Sequence, residues 1–237
     1  MPGQMKTTTG PRPEPMRSWV FALPSNRRKM KRRALLIANG ELNQTDVQFG
    51  MDTCKRGLII AADGGANQAI EAGIIPDVVI GDMDSIQPQT KELLAAKRWI
   101  LKPSQEMGDL EKALLFCQEE GIEELTIIGF TGGRLDHALG NLSVLARYDR
   151  VFQYRLFSPH AELFFVRDTI TLPSNPGTPV SLVPLDKAQG VTTKGLAYPL
   201  CSEPLSVGQR EGTSNRATGT QFSISIASGL LLVFRGL

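Results

Sequence analysis

Histidine and cysteine are scarce in this chain, with two and three among 237 residues. The cysteines, Cys54, Cys117 and Cys201, are odd in number and widely spaced, with no C-x-x-C. That pattern argues against a disulfide framework or a cysteine zinc site and reads as reduced thiols in a cytoplasmic setting. With only His137 and His160 present, histidine-rich metal chemistry is excluded. No apolar run is long enough to span a bilayer, so no membrane association is expected. Two phosphate-binding signatures are missing as well. The lack of G-x-x-x-x-G-K-[ST] excludes a P-loop NTPase, and the lack of G-x-G-x-x-G argues against a dinucleotide enzyme.

Charge is unevenly placed. Of 26 basic and 24 acidic residues, nine basic and one acidic fall in 1–33, leaving 17 and 23 in 34–237 and a net charge of −6 there. The body of the protein is mildly acidic, and nucleic acid is not expected as a partner. Residues 1–31 are rich in Pro, Thr and Arg, without helical or strand period, and read as a basic, disordered extension.

From residue 34 the chain alternates. Ala34–Ala38, Leu58–Ala62, Val78–Ile80, Trp99–Leu101 and Leu125–Phe130 are short β-branched or aliphatic runs of the kind found in buried parallel strands. Between and after them, helices are expected over about 45–54 (capped by Thr45 or Asp46), 66–73, 90–97, from Asp109 to Gly121, and over 134–148. Five alternations imply an α/β domain over 32–150, with a parallel sheet and helices on both faces. Past Asp149 the texture changes to short alternating runs broken by Gly, Pro, Asn and Asp: 152–157, 162–166, 169–172, 179–184, 190–193, 221–226 and 230–234. No helical period appears in 151–237, which reads as an antiparallel β-sandwich or jelly roll.

The acidic residues follow the strands. Asp63 with Gly64 and Gly65 comes after the second strand, and Asp82-Met83-Asp84 directly after the third. Gln105 and Asp109 follow the fourth, and Gly132-Gly133-Arg134-Leu135-Asp136 the fifth. In a parallel sheet these loops leave one edge, where ligands bind. Carboxylates gathered there, with no Lys or Arg beside the D-x-D and no matched Lys, would repel one another unless cations bound. Mg²⁺ takes carboxylate oxygens and shares the rest of its shell with phosphates and water. Gly-Gly turns let backbone N–H groups approach phosphate. The edge therefore reads as a divalent-metal and polyphosphate site.

The same residues resemble the thiamine pyrophosphokinase family. The resemblance rests on Ala62-Asp63-Gly64-Gly65-Ala66-Asn67, Pro76-Asp77-x-x-x-Gly81-Asp82-x-Asp84-Ser85, Asp109-Leu110-Glu111-Lys112-Ala113-Leu114 and Gly132-Gly133-Arg134-Leu135-Asp136-His137. It continues in Lys194–Leu200 and Gly212-Thr213-Ser214-Asn215, and spans about 34–237. It implies transfer of the pyrophosphoryl group of ATP to the hydroxyl of thiamine, releasing AMP, with Mg²⁺ held by Asp82, Asp84 and Asp109. It implies nucleotide and phosphate contacts for Asp63, Gly64, Gly65, Gln105, Arg134 and Asp136, and thiamine contacts for Ser214 and Asn215. Arg134 would stabilise developing charge, and Asp82 or Asp84 would take the hydroxyl proton. It implies a homodimer with the active site at the subunit interface. Gly108 departs from the family pattern, which has Thr or Ser there. Two other readings come from different classes. A nucleotide-sugar transferase also uses D-x-D to hold a metal, but leaves the Gly-Gly-Arg-x-Asp motif and the β part unexplained. A non-catalytic thiamine- or nucleotide-binding paralogue is the other, suggested by Gly108.

Overall fold

A computed structural model describes residues 31–55 and 57–237. The basic extension expected over 1–31 lies outside them, apart from Lys31. The alternation begins as read from the sequence: β1 (Arg33–Ile37), α1 (Gln44–Thr53), β2 (Leu58–Ala62), α2 (Gly65–Glu71), β3 (Val78–Gly81), α3 (Pro88–Leu93), β4 (Arg98–Leu101), α4 (Asp109–Glu119), β5 (Glu124–Ile128) and α5 (Leu135–Arg147). These strands and β6 (Gln153–Ser158) pair in parallel in the order β6-β5-β1-β2-β3-β4.

The chain steps outward from β1 to β4 and then returns to β5 on the far side of β1. Right-handed crossovers accordingly put α1 to α3 on one face and α4 and α5 on the other. Leu110 and Leu114 of α4 pack with Leu36, Ile60 and Ile80 on one side of the sheet; Leu35, Ile37 and Ile128 pack with Val47 and Ala69 on the other. Leu35, Leu36 and Ile37 are fully buried, each contributing about 1.5–3 kcal/mol of hydrophobic stabilisation.

The remaining strands are β7 (Ala161–Val166), β8 (Thr169–Pro173), β9 (Pro179–Pro184), β10 (Lys187–Lys194), β11 (Glu203–Ser206), β12 (Gly212–Arg216), β13 (Gln221–Ser225) and β14 (Leu231–Gly236). Four of them prolong the parallel sheet as antiparallel strands, giving one ten-stranded sheet in the order β12-β9-β14-β7-β6-β5-β1-β2-β3-β4. The other four form a second sheet, β11-β10-β13-β8. Val166, Val180, Leu182 and Val233 of the long sheet pack against Leu172, Val191, Phe222 and Ile224 of the short one, which makes the expected sandwich. One of its layers is a continuation of the α/β sheet, and the expected boundary at residue 150 falls just ahead of β6, the strand that joins the two parts.

Three local expectations are corrected. The cap of α1 is Asn43, not Thr45 or Asp46: its side chain accepts the Asp46 N–H at 2.8 Å, and Asp46 reaches back to the Asn43 N–H as the other half of a capping box. The third helix is shorter, since Pro88 at its first turn pre-sets the entry and residues 94–97 form turns. Strands β11 and β12 were not anticipated: Glu203–Ser206 has one buried apolar residue, Leu205, too few to show a period, and Gly212-Thr213-Ser214-Asn215-Arg216 has no apolar side chain to mark a buried face.

Candidate active site

Three carboxylates converge at the C-terminal ends of β2, β3 and β4. One oxygen each from Asp63, Asp82 and Asp109 lies within 4.8 Å of the others. Asp63 comes from the turn after β2, Asp82 from the residue after β3, and Asp109 from the first residue of α4.

Asp63 is buried and has a left-handed backbone with φ of 41°. One of its oxygens accepts the Met83 N–H at 2.9 Å and the other the Ser85 N–H at 3.3 Å. Asn67, one helical turn further on, donates to the Ser85 carbonyl at 2.9 Å and accepts the Gln87 N–H at 3.0 Å. The Asp63-to-Asn67 motif therefore holds the D-x-D loop through four hydrogen bonds. Close packing sets its glycines: a Cβ on Gly65 would stand 2.4 Å from the Ile37 carbonyl oxygen, and one on Gly64 would strike the Asn39 side chain.

The loop so held gives its two carboxylates different surroundings, and the Asp84 N–H donates to Asp82 Oδ1 at 3.4 Å. Met83 adopts φ of 70°, which swings Asp84 outward, exposed, where it accepts the Ser85 hydroxyl at 2.9 Å. Asp82 instead faces the cluster, and Gln105 donates to its Oδ2 at 3.0 Å. The position that joins Asp82 and Asp109 in the convergent set is Asp63, while Asp84 stands at the loop tip.

The expectation of carboxylates without a matched lysine is overturned. Lys112, 3% exposed, places its ammonium 2.9 Å from Asp109 Oδ1 and 3.5 Å from Asp82 Oδ2. It lies three residues after Asp109 on α4, one turn along the same helix face. That spacing was the available signal, but it could not show that the lysine turns inward. Lys91 also escaped the sequence reading; it donates to the Met83 carbonyl at 2.8 Å and fastens the loop from outside.

Burial pushes the Asp109 carboxyl up, and the neighbouring Asp63 and Asp82 add to this against the pull of Lys112. Burial acts upward on Asp82 too, but hydrogen bonds from Asp84 and Lys112 outweigh it and hold that carboxyl below its usual range. Burial would lower Lys112, yet its bond to Asp109 and the nearby carboxylates raise it, so it stays an ammonium.

Arg134 and Asp136 stand on the next loop, beyond β5 and over the reversal of strand order between β1 and β5. They form a two-pronged pair with each other, at 3.1 and 2.5 Å, on the surface. This pairing holds the Asp136 carboxyl down at about 2. Ser214 and Asn215 sit on β12. Ser214 is exposed, with φ of 62°. Asn215 is buried and its amide is committed, accepting the Tyr198 N–H at 3.1 Å and donating to the Tyr198 carbonyl at 2.7 Å. It thereby fixes the 194–200 segment beside β12.

This fold and these motifs have close parallels among characterised proteins. Residues 53–157 match the model of the thiamin pyrophosphokinase catalytic domain, and residues 167–231 that of the thiamin pyrophosphokinase vitamin B1 binding domain. Thiamine pyrophosphokinase of Bacillus subtilis (strain 168) is 28% identical over 207 residues, covering 84% of this chain and 96% of the relative. Thiamine pyrophosphokinase 1 of Oryza sativa subsp. japonica is 31% identical over 188 residues, covering 67% of this chain and 71% of the relative. The crystal structure of the Bacillus subtilis protein matches with a TM-score of 0.74 at 25% identity, over 86% of this chain and 98% of that one. Thiamin pyrophosphokinase from Candida albicans has the same fold, with a TM-score of 0.77 at 19% identity over 87% and 90% of the two chains. None of these parallels is a nucleotide-sugar transferase. The two matched models follow one another along the chain as the α/β and sandwich parts do, and the chain belongs to the thiamine pyrophosphokinase family.

Proposed function

We propose that this protein transfers the pyrophosphoryl group of ATP to the hydroxyl of thiamine, giving thiamine diphosphate and AMP. The observation that carries this reading is the convergent Asp63, Asp82 and Asp109 at the ligand-binding edge of the domain that matches the catalytic model. The cluster fits a divalent ion. Its ligand atoms are hard carboxylate oxygens, and with Lys112 the four side chains carry a net charge of −2 when ionised. Asp82 and Asp109 would hold the ion, with Asp84 at the loop tip reaching it directly or through water. Bound there, Mg²⁺ would neutralise phosphate charge during in-line transfer.

The chain's own residues supply position and charge. Asp63 and Asn67 fix the D-x-D loop and so place Asp82. Gln105 orients Asp82, and its exposed amide would turn to a phosphate oxygen. Arg134 is prepaid with one carboxylate, Asp136, which aims its guanidinium; an incoming phosphate would compete for the exposed prongs. Asp84, exposed and with no cationic partner among the described residues, is available to accept the thiamine hydroxyl proton.

A homodimer with the site at its interface is part of the proposal. Leu135 and Leu139 of α5 are 73% and 59% exposed, an apolar stripe beside the site loops that a second copy would cover. A cytoplasmic setting also belongs to it, supported by three cysteines that form no disulfide. Among the described residues no helix is long and apolar enough to cross a membrane. Incubation with ATP, Mg²⁺ and thiamine tests the reading: AMP should form with thiamine present and not without it. AMP formation indifferent to thiamine would remove it.

A further inference from the structure

The convergent carboxylates are already occupied by donors. Asp82 Oδ2 receives Gln105 Nε2 at 3.0 Å and Lys112 Nζ at 3.5 Å. Asp109 Oδ1 receives Lys112 Nζ at 2.9 Å. Both Asp63 oxygens accept loop N–H groups. A magnesium ion bound at about 2.1 Å to Asp109 Oδ1 would stand no more than about 5 Å from the Lys112 ammonium. Two like charges that close, with a lysine side chain only 2% exposed, repel with little screening by water or salt. The ammonium and the metal therefore compete for the same oxygens.

We propose that Lys112 is a built-in counter-cation that gates the metal site and makes metal binding depend on the polyphosphate. This rests on reading the edge as a divalent-cation and polyphosphate site. In the ligand-free protein the ammonium offsets one of the two charges of Asp82 and Asp109 and keeps them together. A metal ion arriving alone must displace an ammonium whose ion-pair partners among the described residues are Asp82 and Asp109, the oxygens the metal would take. A polyphosphate arriving with the metal supplies one, because the flexible four-carbon stem of lysine lets Nζ swing from the carboxylates to phosphate oxygens while the metal takes its place. Lysine suits this better than arginine, whose rigid fork would hold a carboxylate more firmly. Metal and polyphosphate then assist each other's binding by the same factor. The protein avoids a dead-end state in which metal sits in the site without nucleotide.

The test is metal binding, not turnover. Mn²⁺, visible by electron paramagnetic resonance, is titrated alone into the full chain and into Lys112→Met and Lys112→Gln, each first checked by thermal unfolding. With the competing charge removed, Mn²⁺ alone should bind the folded variants about tenfold or more tightly than the wild type. Binding of a non-hydrolysable ATP analogue should then gain less from Mn²⁺ in the variants than in the wild type. Should Lys112→Met fail to fold, Lys112→Gln keeps the hydrogen bonding and carries the same prediction. Equal or weaker Mn²⁺ binding in a folded variant overturns the gate. No thiamine is used, so the outcome is separable from the proposed activity: thiamine-dependent AMP release together with unchanged Mn²⁺ affinity would reject the gate and leave the pyrophosphokinase reading standing.

Discussion

The carboxylate of Asp63 accepts the backbone N–H of Met83 at 2.9 Å, across two adjacent parallel strands, and both residues have left-handed backbones. That contact ties the turn after β2 to the loop after β3. Close approach at the junction leaves no room for a side chain on Gly81, where a Cβ would stand 2.7 Å from that of Asp63. The acidic residue that joins Asp82 and Asp109 in the converging set is also the anchor of the D-x-D loop.

Asp63→Ala should therefore act through the loop. It leaves the Met83 and Ser85 N–H groups without acceptors, a loss of about 1–3 kcal/mol for each that stays buried. Thermal unfolding should show destabilisation, and turnover should fall because Asp82 is no longer held. Unchanged stability with lost turnover would assign Asp63 to ligand contact instead.

Asn215 was expected at the thiamine side from the family resemblance, and its amide bridges the backbone N–H and carbonyl of Tyr198. Asn215→Ala should cost on the order of 1 kcal/mol by removing two hydrogen bonds to the Tyr198 backbone. It should weaken thiamine binding through the displaced 194–200 segment. Chemical denaturation combined with thiamine titration checks both, and a variant as stable as the wild type would refute the bridging role.

Gly108 stands at the N-cap of α4 with no side-chain bond, and a Cβ there would meet nothing within 4 Å. Gly108→Ser should supply the missing cap and stabilise the helix by about a few tenths of a kcal/mol. Activity should be unchanged or slightly raised, since the departure from the family pattern costs a cap and not a contact with the cluster. A large loss of activity would mean that the open space beside Gly108 is needed by a ligand.

Asp46 gives the pH dependence. Burial raises its carboxyl above the ordinary range, against a bond from Asn43 and the field of His160, and one oxygen has no partner. A raised folded value means the protonated form is favoured in the native state. Its contribution to stability is present at pH below the ordinary carboxylate value and is lost as pH rises through the raised one. The stability of Asp46→Asn relative to the wild type should shift in the variant's favour as pH rises from about 4 to about 8. A difference constant over that range would place the charge in water.

Much of this was legible in advance because burial on both faces writes itself as continuous apolar runs. Leu35-Leu36-Ile37, Ile60-Ala61-Ala62 and Val78-Val79-Ile80 could hardly be anything but central strands. Strand β12 was not legible, because its ladder is made by backbone groups while its side chains face water, apart from Asn215. The continuity of the long sheet escaped for a related reason: Gln153–Ser158 reads alike as the edge of a sandwich or as a sixth parallel strand, and only pairing with β5 decides. At the site, chain order brought the right loops to one edge. The direction of each side chain depended on backbone angles, φ of 70° at Met83 above all, and that is what exchanged Asp63 for Asp84 in the converging set. Lys112 stood in the sequence only as one residue of the Asp109–Leu114 motif, and its burial follows only from the way α4 lies across β2 and β3.

The central claim is that the Asp82 edge performs thiamine-dependent pyrophosphoryl transfer. The most direct measurement is the rate of AMP release from ATP with Mg²⁺, with and without thiamine, for the wild type and Asp82→Asn. AMP should form only with thiamine, matched by thiamine diphosphate, and its rate should fall at least about a hundredfold in the folded variant, since metal-held charge stabilisation is worth several kcal/mol. Near-normal AMP release by Asp82→Asn, or release that ignores thiamine, would contradict it.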